Sequence, residues 1–265
     1  MTYCLAMRLE EGLVFLSDSR TNAGVDNVST YRKLHVFRPG PDRIFVLQSA
    51  GNLGTTQEVL DRLARDLLDP NAAISLASAE RMFEVALYVG SLTVEVAASH
   101  RHTLGDAAAA TFILGGQIAG HDADIFLVYP EGNCVRASED RPFLQIGETK
   151  YGKSLLDLAV RANADLIQAA KIALSSMTST AMANLSVGPP YDLGIYRNRS
   201  FSLDHVRVAG ESPYLARLEA VWTKSLLAAV AALPEVEPGD IAELRDELTG
   251  TGASADEPDH MESPP

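Results

Sequence analysis

Cysteine is nearly absent from this 265-residue sequence: only Cys4 and Cys134 occur, far apart in the chain. With no C-x-x-C pair and no neighbouring histidines, they suggest neither a disulfide framework nor a zinc site, and both read as small buried hydrophobes. No apolar run approaches the roughly 18–20 residues that would cross a bilayer. The most apolar stretches, 107–119 and 226–233, are too short. The first twelve residues lack the basic region, apolar core and small-residue cleavage site of a secretory signal, so a cytoplasmic location without a membrane partner is expected. A stripe of Lys and Arg interleaved with aromatics is missing too. With 22 basic and 35 acidic residues the net charge is −13. An acidic surface repels phosphate backbones, which argues against nucleic-acid binding.

That acidity is unevenly placed. Residues 233–265 hold ten acidic groups and one Arg, a net −9 of the total −13, leaving −4 for residues 1–232. The 46% hydrophobic content supplies material for a sizeable core. Composition therefore divides the chain into a globular body, 1–232, and an acidic, Pro-rich end, 233–265, expected to be mobile except for one short helix at 241–248.

Periodicity in the body reads as blocks. Strands are predicted at 3–8, 13–16, 32–37 and 43–49, then amphipathic helices at 55–68 and 78–98. A second strand block covers 108–115, 124–129, 134–137 and 143–147, with Pro130-Glu131-Gly132-Asn133 as its tight turn. Helices at 150–162 and 165–177, strands at 192–196 and 205–208, and a long helix at 212–232 complete the order. Strand blocks alternating with helix pairs point to segregated layers rather than βαβ crossovers. The expected class is α+β, with two antiparallel sheets face to face and helices outside. On the last helix Leu215, Leu218, Val221, Trp222 and Leu226 form an apolar stripe. It reads as core cover or as an assembly surface, with core cover the preferred reading.

Dinucleotide fingerprints, phosphate loops, zinc-helix motifs and nucleophile elbows are all missing, and the six histidines are scattered. What stands out is the N-terminus. Initiator Met removal is favoured before a small residue, which would make Thr2 the first residue. A terminal Thr carries its hydroxyl beside a free α-amine whose pKa of about 7.7–8.0 leaves some neutral base near pH 7. Nucleophile and base then share one residue. Met-Thr alone is a common beginning and carries little weight.

Its surroundings carry more. Thr2-Tyr3-Cys4, Ser17-Asp18-Ser19-Arg20-Thr21-Asn22-Ala23-Gly24, Tyr31-Arg32-Lys33-Leu34 and Ser49-Ala50-Gly51 together resemble proteasome β-subunits, and most closely the bacterial proteasome-related family Anbu. Residues 146–153 and 184–188 extend the resemblance weakly along the chain. It implies a four-layer αββα sandwich of the N-terminal-nucleophile hydrolase type, with an extra C-terminal helix and the site where Thr2 leaves the sheet. The implied catalytic residues are Thr2, Asp18, Lys33 and Ser186. Asp18 would pair with the Lys33 ammonium, which favours the ionised Thr2 hydroxyl; Gly51 would give an oxyanion N–H, and Thr21 main-chain pairing to an extended peptide. Taken singly, Asp18 and Arg20 also read as a surface ion pair, Lys33 as an exposed strand residue, and Gly51 as a strand end.

The second half departs from the proteasome pattern. Glu148-Thr149 follows Ile146-Gly147 where that pattern has Ser, and Ala183-Asn184-Leu185-Ser186-Val187-Gly188 keeps its Ser but not its Asp. Those groups hold the terminal amine, so either Glu148 or Thr149 and Ser186 substitute, or the base is poorly poised. The expectation is a threonine peptidase or amidase forming an acyl-enzyme on Thr2, without metal or organic cofactor, assembled as a homo-oligomeric ring or open spiral. The rivals are a proteasome-derived scaffold with relic residues and an amidase for one small substrate. No unfoldase partner is named by the sequence.

Overall fold

The computed structural model describes residues 2–22, 28–241 and 245. The chain divides into two compact units, Met1–Ala220 and Val221–Pro265. In the first, β1 (Tyr3–Leu9) and β2 (Gly12–Asp18) form a hairpin, followed by the short strands β3 (Arg20–Asn22) and β4 (Val28–Thr30), then β5 (Leu34–Gly40) and β6 (Arg43–Gly51). Helices α1 (Leu53–Asp66) and α2 (Met82–Leu104) precede β7 (Ala110–Ile118), β8 (Asp124–Val128), β9 (Cys134–Arg136) and β10 (Phe143–Gly147). Helices α3 (Lys153–Ala159) and α4 (Leu166–Ala183), strands β11 (Tyr191–Arg197) and β12 (Leu203–Val208), and helix α5 (Pro213–Ala231) follow.

One antiparallel sheet has the order β10-β1-β2-β11-β12, the other β5-β6-β7-β8-β9, and β3 and β4 make a separate pair. Strand alternation sorts the side chains of β1 and β2 into two sets. Tyr3, Leu5, Met7, Val14 and Leu16 pack with the α4 residues Leu166, Ala173 and Met177. Cys4, Ala6, Leu13 and Phe15 turn the other way and meet Ile44, Val46, Ile113 and Ile125 of the second sheet. That second sheet's opposite face, with Phe45, Leu47, Phe112 and Leu114, packs against Val59, Leu63, Val85 and Val89 of α1 and α2. At about 1.5–3 kcal/mol for each large aliphatic side chain taken from water, these three clusters are the main stabilising contribution.

The block order expected from periodicity is present, and the turn at 130–133 closes with Tyr129 donating to the Asn133 carbonyl. The differences have local causes. The β3–β4 hairpin has no counterpart in the sequence pattern, because two three-residue polar strands offer no window for alternation. α2 starts at Met82 rather than at 78, since the Ser75 hydroxyl accepts from the Ala77 and Ser78 amides and closes a turn there. α3 starts at Lys153 rather than at 150, where the Lys150 amide donates to the Glu148 carboxylate. With its 3-10 extension the second helix, Met82–Ala108, is by length and composition apolar enough to cross a bilayer, contrary to the reading of the sequence; half of that window is buried in the fold. Cys4 is fully buried, but Cys134 is only partly so. On α5, Leu215 is buried and Leu218 packs on the core of the first unit, which agrees with core cover for those turns. In the second unit, residues 238–241 are helical; the rest of the helix expected at 241–248 and the mobile end lie outside the described residues, Arg245 excepted.

Candidate active site

Thr2 stands where β1 begins, held on both sides. Its carbonyl accepts from the Glu148 amide at 2.7 Å. The next residue, Tyr3, donates its amide to Asp18 Oδ1 at 3.0 Å and anchors its phenol between Ser176 (2.8 Å) and Gln145 (2.6 Å). Burial pushes that phenol up to about 12, so it stays neutral and serves as a fixed hydrogen-bonding post. Gly147 fits opposite because it has φ +83° and a Cβ there would come within 2.0 Å of the Thr2 carbonyl oxygen. The segment Ile146–Glu148 is thereby drawn hard against the strand start.

Asp18 ends β2 on the neighbouring strand, fully buried, with Lys33 Nζ at 2.7 Å from its Oδ1. Lys33 also donates to the Arg20 carbonyl at 2.6 Å. Burial raises the Asp18 carboxyl above its ordinary value, while Lys33, then the amides of Tyr3 and Gly188, pull it back by favouring the charged form. The Gly188 amide reaches Asp18 Oδ2 at 3.4 Å, which ties the loop after α4 to the ion pair. Arg20 braces the same loop through the Leu185 carbonyl at 2.8 Å.

A cleft of about 40 Å³ brings Thr2, Thr21, Lys33 and Gly51 together, with Tyr31 and Arg32 also on its wall. Gly51, with φ +107°, closes β6 opposite Ala110. In that ladder the Ser49 amide donates toward Lys33 and the Asn52 amide toward Ala109. By alternation the Gly51 N–H points the way Ser49 does, toward the cleft. Asn52 then caps α1, its side chain accepting from the Thr55 amide at 3.1 Å, so the strand end is held by the helix start. Thr21 pairs Ser29 across β3–β4; among the described residues no strand occupies the other edge of β3.

Of the residues singled out in the sequence, Thr2, Asp18, Lys33, Thr21 and Gly51 converge. Ser186 does not: it is half-buried in the turn after α4, its amide bonded to Asn184 Oδ1, and it is not on the cleft wall. The Glu148–Asn184 hydrogen bond (2.9 Å) and the Arg20 brace have no signal in the sequence pattern. Residues 36 and 165 positions apart share no period, although Glu148 and Asn184 both stand out as departures. Among the described residues no group of three or more His, Cys, Asp or Glu side chains is placed to hold a metal ion.

No protein-family model matches the sequence, and no curated protein does. Solved structures do. The chain is 44% identical to Anbu (ancestral β-subunit) from Yersinia bercovieri, with a TM-score of 0.83 over 89% of this chain and 99% of that one. It is 41% identical to a Gly-1 mutant of Anbu from Hyphomicrobium sp. strain MC1, with a TM-score of 0.84 over 89% and 100%. Against the helical assembly of the Anbu complex from Pseudomonas aeruginosa the values are 39% and 0.84, over 90% and 99%.

Proposed function

Because the chain belongs to the Anbu family of proteasome-related ancestral β-subunits, we propose that it is a threonine-type N-terminal-nucleophile hydrolase built as a four-layer αββα sandwich. The observation that carries this reading is the buried 2.7 Å pair of Asp18 and Lys33, with Lys33 on the wall of the cleft that holds Thr2 and Gly51. Met1 is removed, and the Thr2 α-amine takes the proton as Oγ attacks the carbonyl of a peptide or small amide. The Lys33 ammonium favours the charge developing on Oγ, and the Gly51 N–H accommodates the oxyanion. Collapse of the tetrahedral intermediate breaks the C–N bond, the leaving amine collects the proton, and an ester remains on Thr2. Water, deprotonated by the same α-amine, then hydrolyses that ester. Thr21 on β3 offers main-chain pairing to an extended substrate.

Intact mass spectrometry should show a chain shorter by one Met, and an electrophilic peptide probe should label Thr2 but not a Thr2→Ala variant. Active protein that uniformly retains Met1 would sink the mechanism, since an amide nitrogen is not a base.

A homo-oligomer, ring or open spiral, is part of the proposal. Its support is the helical assembly of the Pseudomonas aeruginosa relative and the exposure of Leu227 (68%) and Val230 (66%) on α5. Light scattering at micromolar concentration should give a mass well above the 28.4 kDa of one chain. A monomer with full activity would contradict assembly. The second reading, a scaffold with relic catalytic residues, is favoured by the position of Ser186, whose amide is bonded to Asn184 Oδ1 in the turn after α4 and which is not on the cleft wall. Wild-type protein that neither labels nor cleaves any amide would decide for it.

A further inference from the structure

Five charged side chains are buried in the described fold, and four of them have an opposite charge at hand. Asp18 has Lys33, Asp124 has Arg8 and Arg136, and Asp192 has Arg207 with His205 beside it. Glu148 is 7% exposed and, among the described residues, forms no ion pair. Its carboxylate accepts from Asn184 Nδ2 at 2.9 Å and from the Lys150 amide at 3.3 Å. Two neutral donors leave a buried negative charge uncompensated, which is costly unless a cation arrives from elsewhere.

The register says where it can come from. Tyr3 pairs with Gly147, so one step back Thr2 stands opposite Glu148, and the 2.7 Å bond between the Glu148 amide and the Thr2 carbonyl joins the two directly. Once Met1 is removed, the Thr2 α-ammonium begins the strand at this backbone junction. Asn184, at the C-terminal cap of α4, fixes the carboxylate from the opposite side.

We propose that Glu148, held by Asn184, is the charge partner and hydrogen-bond acceptor of the Thr2 α-amine, orienting its lone pair and setting the pH at which it becomes a base. This rests on the reading of Thr2 as the chain terminus. The other charged groups around the amine are Asp18 from β2, Lys33 before β5, Arg20 from β3, exposed Arg32 on the cleft wall and Lys150 beyond Glu148. Asp18 and Lys33 largely cancel in their own pair. Arg20 is engaged with the Leu185 carbonyl. Glu148 is thus the buried charge whose removal changes the amine's surroundings most. It acts on the amine and not on the substrate, which makes it a positioning residue.

The test measures the amine directly, apart from catalysis. Competitive acetylation of the Thr2 amine from pH 5 to 10, read by mass spectrometry of the N-terminal peptide, gives its titration midpoint in wild type, Glu148→Gln and Glu148→Asp. Electrophilic labelling of Thr2 is followed over the same range. Removing a nearby carboxylate should lower the midpoint in Glu148→Gln by about one pH unit or more. Glu148→Asp, which keeps the charge one methylene further back, should fall between it and wild type. The labelling profile should move the same way, and the plateau rate should drop severalfold because the lone pair is no longer aimed. Equal midpoints in processed wild type and Glu148→Gln would overturn this inference alone, with Thr2 still labelling. Retention of Met1 would overturn the reading of Thr2 and this inference with it. A shifted midpoint without any labelling would support the amine's partner while refuting the hydrolase.

Discussion

Lys33→Ala is expected to slow the labelling of Thr2 by an electrophilic peptide probe by about 30- to 1000-fold, the equivalent of roughly 2–4 kcal/mol in the chemical step. The ammonium is fixed by two short bonds, 2.7 Å to Asp18 and 2.6 Å to the Arg20 carbonyl, and it borders the cleft at Thr2. A charge held this way needs no rearrangement when negative charge grows on Oγ, so its loss should be felt in the rate more than in probe affinity. The fold should survive. Asp18 keeps the amides of Tyr3 and Gly188 as donors, and burial already favours its protonated form once the cation is gone. The comparison requires matched assembly state and melting behaviour. If Lys33→Ala labels at the wild-type rate, the mechanism assigned to this site is wrong.

The pieces of the site that lie close along the chain are legible in the sequence itself. Alternation places Thr2 just ahead of a strand, whereas Asp18, two residues past the strand expected at 13–16, and Lys33, inside the strand expected at 32–37, are singled out by the local motifs that carry the family resemblance. The strand starts and ends fix which groups can meet. What the sequence hides is set by tertiary register. Gly188 bonds to Asp18 across 170 positions, and Glu148 bonds to Asn184 across 36, next to a Gly147 of positive φ. Ser186 looks equivalent to its neighbours in the motif, yet the turn after α4 turns it away from the cleft wall. The same limit applies to packing. The α5 stripe is continuous in sequence, but a helical period cannot say which of its residues meet a core, and in the first unit it is Leu215 that is buried. Short polar strands such as β3 and β4 carry no period at all.

Asp18→Ala should be the more damaging change to the fold, costing about 3–5 kcal/mol of unfolding free energy, because it strands a buried cation. Lys33 is 5% exposed and would keep a single neutral acceptor, the Arg20 carbonyl, while the amides of Tyr3 and Gly188 would lose theirs. Labelling of Thr2 should vanish with it, since the ammonium is no longer fixed and the strand start is no longer tied to β2. The two losses can be separated by adding Lys33→Met, which removes the stranded charge and keeps most of the side-chain volume. A buried ion pair replaced by apolar groups of similar size is often neutral for stability. The double variant should therefore recover a large part of the unfolding free energy in urea, measured at one fixed protein concentration because assembly shifts apparent stability, yet it should remain unlabelled. Recovery of both stability and labelling would show that the pair serves only the fold. A cost below about 1 kcal/mol for Asp18→Ala, the range of an exposed pair, would show that the site opens to water far more than its burial implies.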